Sequence, residues 1–241
     1  MAREFDGSTQ FIEAASAVLS GVPLTMACWL NSDSITDNQT VIQIADASSS
    51  VNYFSLQALG GIAGDPIRGV MRQSGAINVP VTSTGYLADT WHHICAVFAA
   101  ADSGAVYIDG GSKGTDTATA TPTNLDITSL GVRNTGGTSE FTDGEIAEVA
   151  IWNVALTDAE VAQLAAGYSP RLVRPQGLVL YMPLVRELHD IVGRIGMTNT
   201  GTTVSDHPPI IYPISPQIEI AVAAIPPVAI ASSRLKIGHG R

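Results

Sequence analysis

Residues 91–98 read WHHICAVF, and residues 105–111 read AVYIDGG. The first is an apolar run of strand length. The second ends in Asp109-Gly110, a dipeptide favoured where both central turn residues need positive φ, so the two runs read as neighbouring antiparallel strands followed by a hairpin turn. The same punctuation extends outward on both sides. Runs at 24–30 (LTMACWL), 41–44, 53–58 and 69–73 precede this pair and one at 146–152 follows it, separated by clusters of Gly, Asp, Asn and Ser. Many short β-rich runs with almost no helical signal predict an all-β fold, an antiparallel sandwich or barrel.

One helix is expected, over residues 157–166. Thr157 stands as an N-cap with Glu160 three residues on, before an apolar face of Val161, Leu164 and Ala165, and Gly167 ends it. Residues 134–138 (NTGGT) read as a flexible loop and 115–123 (TDTATATPT) as an extended, exposed connection. Three regions follow: a sandwich domain over 1–168; a stretch over 169–207 containing a linker and a strand at 177–184 (GLVLYMPL) that completes the sandwich; and an extended arm over 208–241. Between 208 and 230 six prolines forbid a helix, and Glu219 is the only charged residue.

Charge narrows the partners. The chain carries 22 acidic and 12 basic side chains, a net charge of −10. Residues 1–168 hold 5 basic and 18 acidic groups (−13), and residues 169–241 hold 7 and 4 (+3). Such a surface repels a phosphate backbone, so no nucleic-acid partner is expected. The start of the sequence lacks the basic and apolar regions of a secretory signal, and no run of about 20 apolar residues predicts a membrane span. Cys28 and Cys95 each lie inside an expected strand, which reads as two buried free thiols, with a bridge between neighbouring strands as the alternative.

Taken in order, Phe5-Asp6-Gly7, the strand ending at Trp29, the WHH strand with Tyr107-Ile108-Asp109-Gly110, and residues 141–156 (FTDGEIAEVAIWNVAL) with the helix after them resemble the laminin-G-like, concanavalin A-like jelly-roll superfamily. The resemblance covers the chain to about residue 167. It departs from the pattern at Ala147, where such domains usually carry Asp, and at both cysteines. Residues 177–184, with Asp190 and Gly193, are similar to a lead-in that often precedes such domains and here follows. The ending, residues 169–175, 177–184 and 201–213, is similar to phage and prophage proteins in which such a domain is joined to this tail.

The resemblance implies an antiparallel jelly-roll β-sandwich, and calcium held by loop oxygens is the one cofactor it suggests, with Asp6, Asp143 and Asp109 as candidates. Asp6 and Asp143 also precede a glycine, and turn formation is the preferred explanation of both, just as Asp109-Gly110 reads as the hairpin turn. No catalytic residue is assigned. Glu145 and Glu148, three apart on one strand, are expected on opposite faces and therefore not as a paired acid and base. His92 and His93 read as structural, next to Trp91. Trp29, Trp91 and Trp152 read as core. Exposed aromatics for stacking on a sugar reduce to Tyr53, Tyr86 and Phe141.

The arm carries the main functional expectation. Ile210, Ile211, Tyr212, Ile214, Ile218, Ile220, Val222, Ile225, Val228 and Ile230 would each forgo roughly 1.5–3 kcal/mol if left in water. The arm is expected to lie against a partner: other virion proteins of a capsid or tail, or copies of the same chain. The expected function is thus a non-enzymatic structural protein of a phage virion, located on the particle, with a carbohydrate-binding module for host-surface glycans as the alternative.

Overall fold

Alternation along the strands decides how the layers stack. In β5 (Asn52–Leu59) Phe54, Leu56 and Ala58 share one buried cluster with Ile94, Ala96 and Phe98 of β9 (Trp91–Ala100), while Tyr53, Ser55 and Gln57 point away from it. The computed structural model describes residues 2–185 and 188–212. Two antiparallel sheets pack face to face about this cluster, the jelly-roll sandwich of the expectation.

The first sheet runs β11 (Gly111–Asp116), β10 (Ser103–Ile108), β9, β3 (Leu24–Ser32), β15 (Asp143–Trp152), β1 (Ala2–Asp6) and β18 (Thr203–Ser205), with β16 (Leu178–Met182) also on β15. The second runs β17 (Thr198–Thr200), β2 (Phe11–Ala14), β12 (Ile127–Leu130), β4 (Asn38–Ala45), β5, β6 (Pro66–Gln73) and β7 (Ala76–Asn78), with β8 (Val81–Gly85) on β6. A ribbon of β13 (Arg133–Asn134) and β14 (Thr138–Ser139) occupies the stretch expected as a flexible loop. The extended connection expected from residue 115 begins as the end of β11, paired to β10, because the Asp109-Gly110 turn (φ 51° and 73°) sets Ile108 opposite Gly111.

The C-terminal strands tie the layers together. β16 forms from the run expected to complete the sandwich and pairs Met182 with Val149. It shares one side of β15 end to end with β1, which pairs Arg3 with Ile146. β17 and β18 belong to different sheets, one on β2 and the other on β1, so residues 198–205 close one margin of the sandwich.

A second apolar layer lies outside the first sheet, which we call the helix-side sheet. The helix α1 (Asp158–Ala165) starts at Thr157, whose hydroxyl accepts from the Glu160 N–H, while the Glu160 carboxylate accepts from the Thr157 N–H at 2.8 Å. Its Val161 and Leu164 pack with Tyr107, Trp152, Val173 and Tyr181. Cys95 lies in this layer and Cys28 in the core between the sheets, because Cys95 pairs with Ala27 and Cys28 with Ile94. The two thiols therefore point to opposite faces and are free and buried.

Candidate functional site

α1 and Val173 roof the helix-side sheet, whereas the outer face of the second sheet lies under the β13–β14 ribbon and Glu140, with Thr40, Gln43 and Ser55 0% and Gln57 1% exposed. Among the described residues no helix covers it. Its outward side chains form a grid fixed by register. Thr40, Gln57 and Arg68 make one row; Gln43, Ser55 and Val70 the next; Ala45, Tyr53 and Arg72 the third. Tyr53, Val70, Ala45 and Ile127 form a small apolar floor at one end.

The remaining positions are polar and joined. Arg68 donates from Nε and Nη2 to Gln57 Oε1 at 2.8 and 2.7 Å. Gln57 Nε2 donates to Thr40 Oγ1 and to Glu140 Oε2, both at 3.1 Å. Thr40 Oγ1 donates to Glu140 Oε2 at 2.9 Å, and Arg133 Nη1 donates to Glu140 Oε1 at 2.9 Å. Arg133 also lies over the Tyr53 ring, 5.3 Å from its centroid. The ribbon is held down by the Asn134 N–H, which donates to Gln43 Oε1 at 2.7 Å. Burial lowers the Arg68 guanidinium below its ordinary pKa, and the nearby Glu140 carboxylate works against that shift. Beneath the ribbon Gln43 Nε2, Ser55 Oγ and Arg133 Nε are buried without a hydrogen-bond partner. Such groups are costly in a finished core and are expected where a ligand or water completes the site.

Only one of the candidate aromatics belongs to this face, and it is not exposed. Tyr53 is 4% exposed under Arg133, because its place on β5 faces the ribbon rather than a loop. Tyr86 is 2% exposed in the core between the sheets, its hydroxyl donating to Ser34 O at 2.9 Å, and burial raises its pKa to about 12. Phe141 is half-buried beside Glu140. Of the tryptophans expected in the core, Trp152 is fully buried, whereas Trp29 and Trp91 are half-buried at the outer face and strand end.

The three aspartates proposed for calcium do not converge into a site. Asp6 and Asp143 face each other across β1 and β15, but Asp109 lies at the β10–β11 turn. Desolvation opposes the charge on Asp6; the hydroxyl and N–H of Thr9 and the N–H groups of Ser8 and Gln10 outweigh it and hold the carboxyl well below the usual range. Asp109 accepts from His92 Nδ1 at 2.7 Å and from the His93 N–H at 3.0 Å. Both carboxylates thus serve turns. Burial, then the charges of Asp37 and Asp6, raises Asp143. No group of three metal-ligating side chains occurs among the described residues.

Glu145 and Glu148 overturn the expectation of opposite faces. Ile146 and Val149 both face the core, so a residue has been inserted between them. The register of β15 on β3 shifts there, and Glu148 takes φ +55°. This bulge turns Glu148 onto the outer face with Glu145. Glu148 is 2% exposed and accepts from Tyr181 Oη at 2.5 Å and Tyr212 Oη at 2.8 Å, with His207 Nε2 at 3.2 Å. Desolvation and then the Glu148 charge push the Tyr181 hydroxyl far up. The adjoining cleft, lined by Trp29, His93 and Ile210, has room for about one water molecule.

That cluster anchors the root of the arm. Ile211 N–H donates to Gly167 O at 2.7 Å, and Ser169 N–H donates to Ile211 O at 2.9 Å. Ile210 is half-buried, and Ile211 and Tyr212 remain 49% and 45% exposed. Ile214, Ile218, Ile220, Val222, Ile225, Val228 and Ile230 lie outside the described residues.

The comparisons with known proteins agree with this architecture. A family model described as the Concanavalin A-like lectin/glucanases superfamily matches residues 6–162, well over half of the chain. The chain belongs to that superfamily. No curated protein matches the sequence. A putative carbohydrate binding protein from Bacteroides ovatus superposes on this superfamily member with a TM-score of 0.63 at 22% identity, over 87% of this chain and 61% of that one. A native heptameric SAP-like pentraxin from Limulus polyphemus gives 0.58 at 13%, over 84% and 93%. The CBM40 of a Ruminococcus gnavus IT-sialidase gives 0.55 at 12%, over 68% and 98%. At these identities the likeness is one of fold.

None of Thr40, Gln43, Gln57, Arg68, Arg133 or Glu140 was singled out by the sequence reading, although a signal existed. Ser55 and Gln57 alternate with core residues in β5, and Arg68, Arg72 and Arg133 are three of the five basic residues in the first 168.

Proposed function

We propose that this superfamily member is a non-catalytic carbohydrate-binding module and that the outer face of β4, β5 and β6 is its binding face. The observation that carries the reading is the group of buried, unpartnered atoms, Gln43 Nε2, Ser55 Oγ and Arg133 Nε, set beside the Arg68–Gln57–Glu140–Arg133 network. A sugar presents many hydroxyl donors and acceptors over an apolar ring face; fixed amide, guanidinium and hydroxyl groups above a small apolar floor match that chemistry. The neighbouring folds support it, since two of them are carbohydrate-binding proteins by description. A glycan array probed with the full chain, with and without calcium, tests it. We expect binding that survives chelation and falls at least tenfold in Gln57→Ala; binding unaffected by that change would move the site elsewhere.

A second reading, favoured by the anchoring of residues 207–212 at Glu148, is that the arm attaches the module to a larger assembly, with a phage virion and the chain's own copies as the proposed partners and the particle as the proposed location. Residues 207–212, fixed at Glu148 and Gly167, are the described start of that apolar arm.

A further inference from the structure

We propose that the ligand of this face carries a carboxylate, and that Glu140, which now covers Thr40 and Gln57, is the chain's own stand-in for that group; this rests on the carbohydrate-binding reading above. Glu140 follows the ribbon with φ +49°, a conformation a non-glycine side chain adopts only when its surroundings hold it there. Its carboxylate folds back onto the sheet into a set of donors: Arg133 Nη1 on one oxygen, Thr40 Oγ1 and Gln57 Nε2 on the other. Arg68 holds the Gln57 carbonyl with two bonds and so aims the amide N–H at the carboxylate. Each carboxylate oxygen thus has its own donors, one of them charged, which makes this a receptor for a carboxylate group.

Two further observations point the same way. Residues 1–168 carry 18 acidic and only 5 basic side chains, yet Arg68, Arg72 and Arg133 occupy this one face. Glu140 and Glu13, the latter on the row of Gln43 and accepting from Asn134 Nδ2 at 3.3 Å, offset two of these three charges, so the face keeps one positive charge in a strongly negative domain. Donors also outnumber acceptors beneath the ribbon, where Gln43 Nε2 and Arg133 Nε have no partner. A ligand carboxylate that displaces Glu140 inherits the donors already aligned there. A polyanion such as nucleic acid is disfavoured by the surrounding −13.

An array of uronic-acid- and sialic-acid-bearing oligosaccharides, each paired with its methyl ester, followed by calorimetric titration of the full chain, tests this. The ester keeps the size and removes the charge. We expect the acid to bind at least tenfold more tightly than its ester, with the preference shrinking as salt rises. Glu140→Gln keeps the size of the internal group but removes its competing charge, and should bind the acid about tenfold more tightly. Because this is a gain of binding, misfolding cannot mimic it; Arg133→Ala should abolish the preference for acid over ester. Equal binding of acid and ester, or a Glu140→Gln affinity no higher than that of the parent, overturns the proposal. Neutral glycans bound on the same face and lost in Gln57→Ala would leave the carbohydrate reading standing and remove this one. Silence toward every glycan overturns both.

Discussion

His93, expected as a structural histidine, is 2% exposed on the helix-side sheet. Its ring meets the edge of Trp29 at 5.6 Å, and its Nδ1 is buried without a partner. Burial lowers its pKa to about 4, despite the opposing charge of Asp109. The folded protein therefore holds a neutral imidazole where the unfolded chain takes a proton below about 6.5, so stability falls as pH drops from that value toward 4. The loss from this one group is on the order of 3 kcal/mol. Asp33 and Asp143 act in the opposite sense, since burial and neighbouring acids raise both, but they are partly exposed and screened. Urea unfolding midpoints at pH 7 and pH 4.5 should separate the effects: the parent loses stability on acidification, and His93→Gln loses markedly less. A parent midpoint that rises on acidification would contradict this account. The neighbouring His92 is tied down differently, with Nδ1 donating to Asp109 and Nε2 accepting from the Leu87 N–H.

At the scale of single elements, α1 and the β15 bulge show how local sequence and tertiary packing divide the work. The capping box at Thr157 was legible because its two hydrogen bonds are between residues three apart, and the structure places them where the residue types predict. Thr157→Ala should cost about 1 kcal/mol. In a chain of this length that is a fall in Tm of about 2–4 °C, measured by calorimetry; an unchanged Tm would mean that Val161 and Leu164 alone hold the helix in place. The bulge at Glu148 was not legible. Period-two alternation along residues 143–152 predicts Glu145 and Glu148 on opposite faces, and nothing in the local sequence announces an extra residue. It arises where β1 ends and β16 begins along the same side of β15, a junction that exists only once strands distant in sequence have paired.

At the scale of the whole molecule the proposed binding face and the proposed anchor lie apart. The Glu140 network lies outside the second sheet, while residues 207–212 are held at Glu148, outside the helix-side sheet. Shortening the chain after Tyr212 removes none of the residues described in either place. We expect the shortened protein to keep the Tm and glycan affinity of the parent, and to fail to co-sediment with the particle that incorporates the full chain. Co-sedimentation of the shortened protein would end the anchoring reading without touching the sugar-binding one. The positive balance of residues 169–241 against the −13 of residues 1–168 fits two regions with different surroundings.

The sequence by itself determined the all-β class, most of the strands, the Asp109-Gly110 hairpin, the capped helix and the membership in a jelly-roll superfamily. All but the last depend on residues adjacent along the chain or on a period within one strand, and the membership rests on a family resemblance carried by several segments in order. Tertiary structure alone decided that Tyr53 and Tyr86 are covered, that Asp109 stands apart from Asp6 and Asp143, and that Glu145 and Glu148 share a face. It also assembled the proposed binding face, whose residues come from β4, β5, β6, the ribbon and the loop before β15. A side chain's face can be read from its strand, but its partners depend on strand order and register, which are fixed by burying the common core between two sheets.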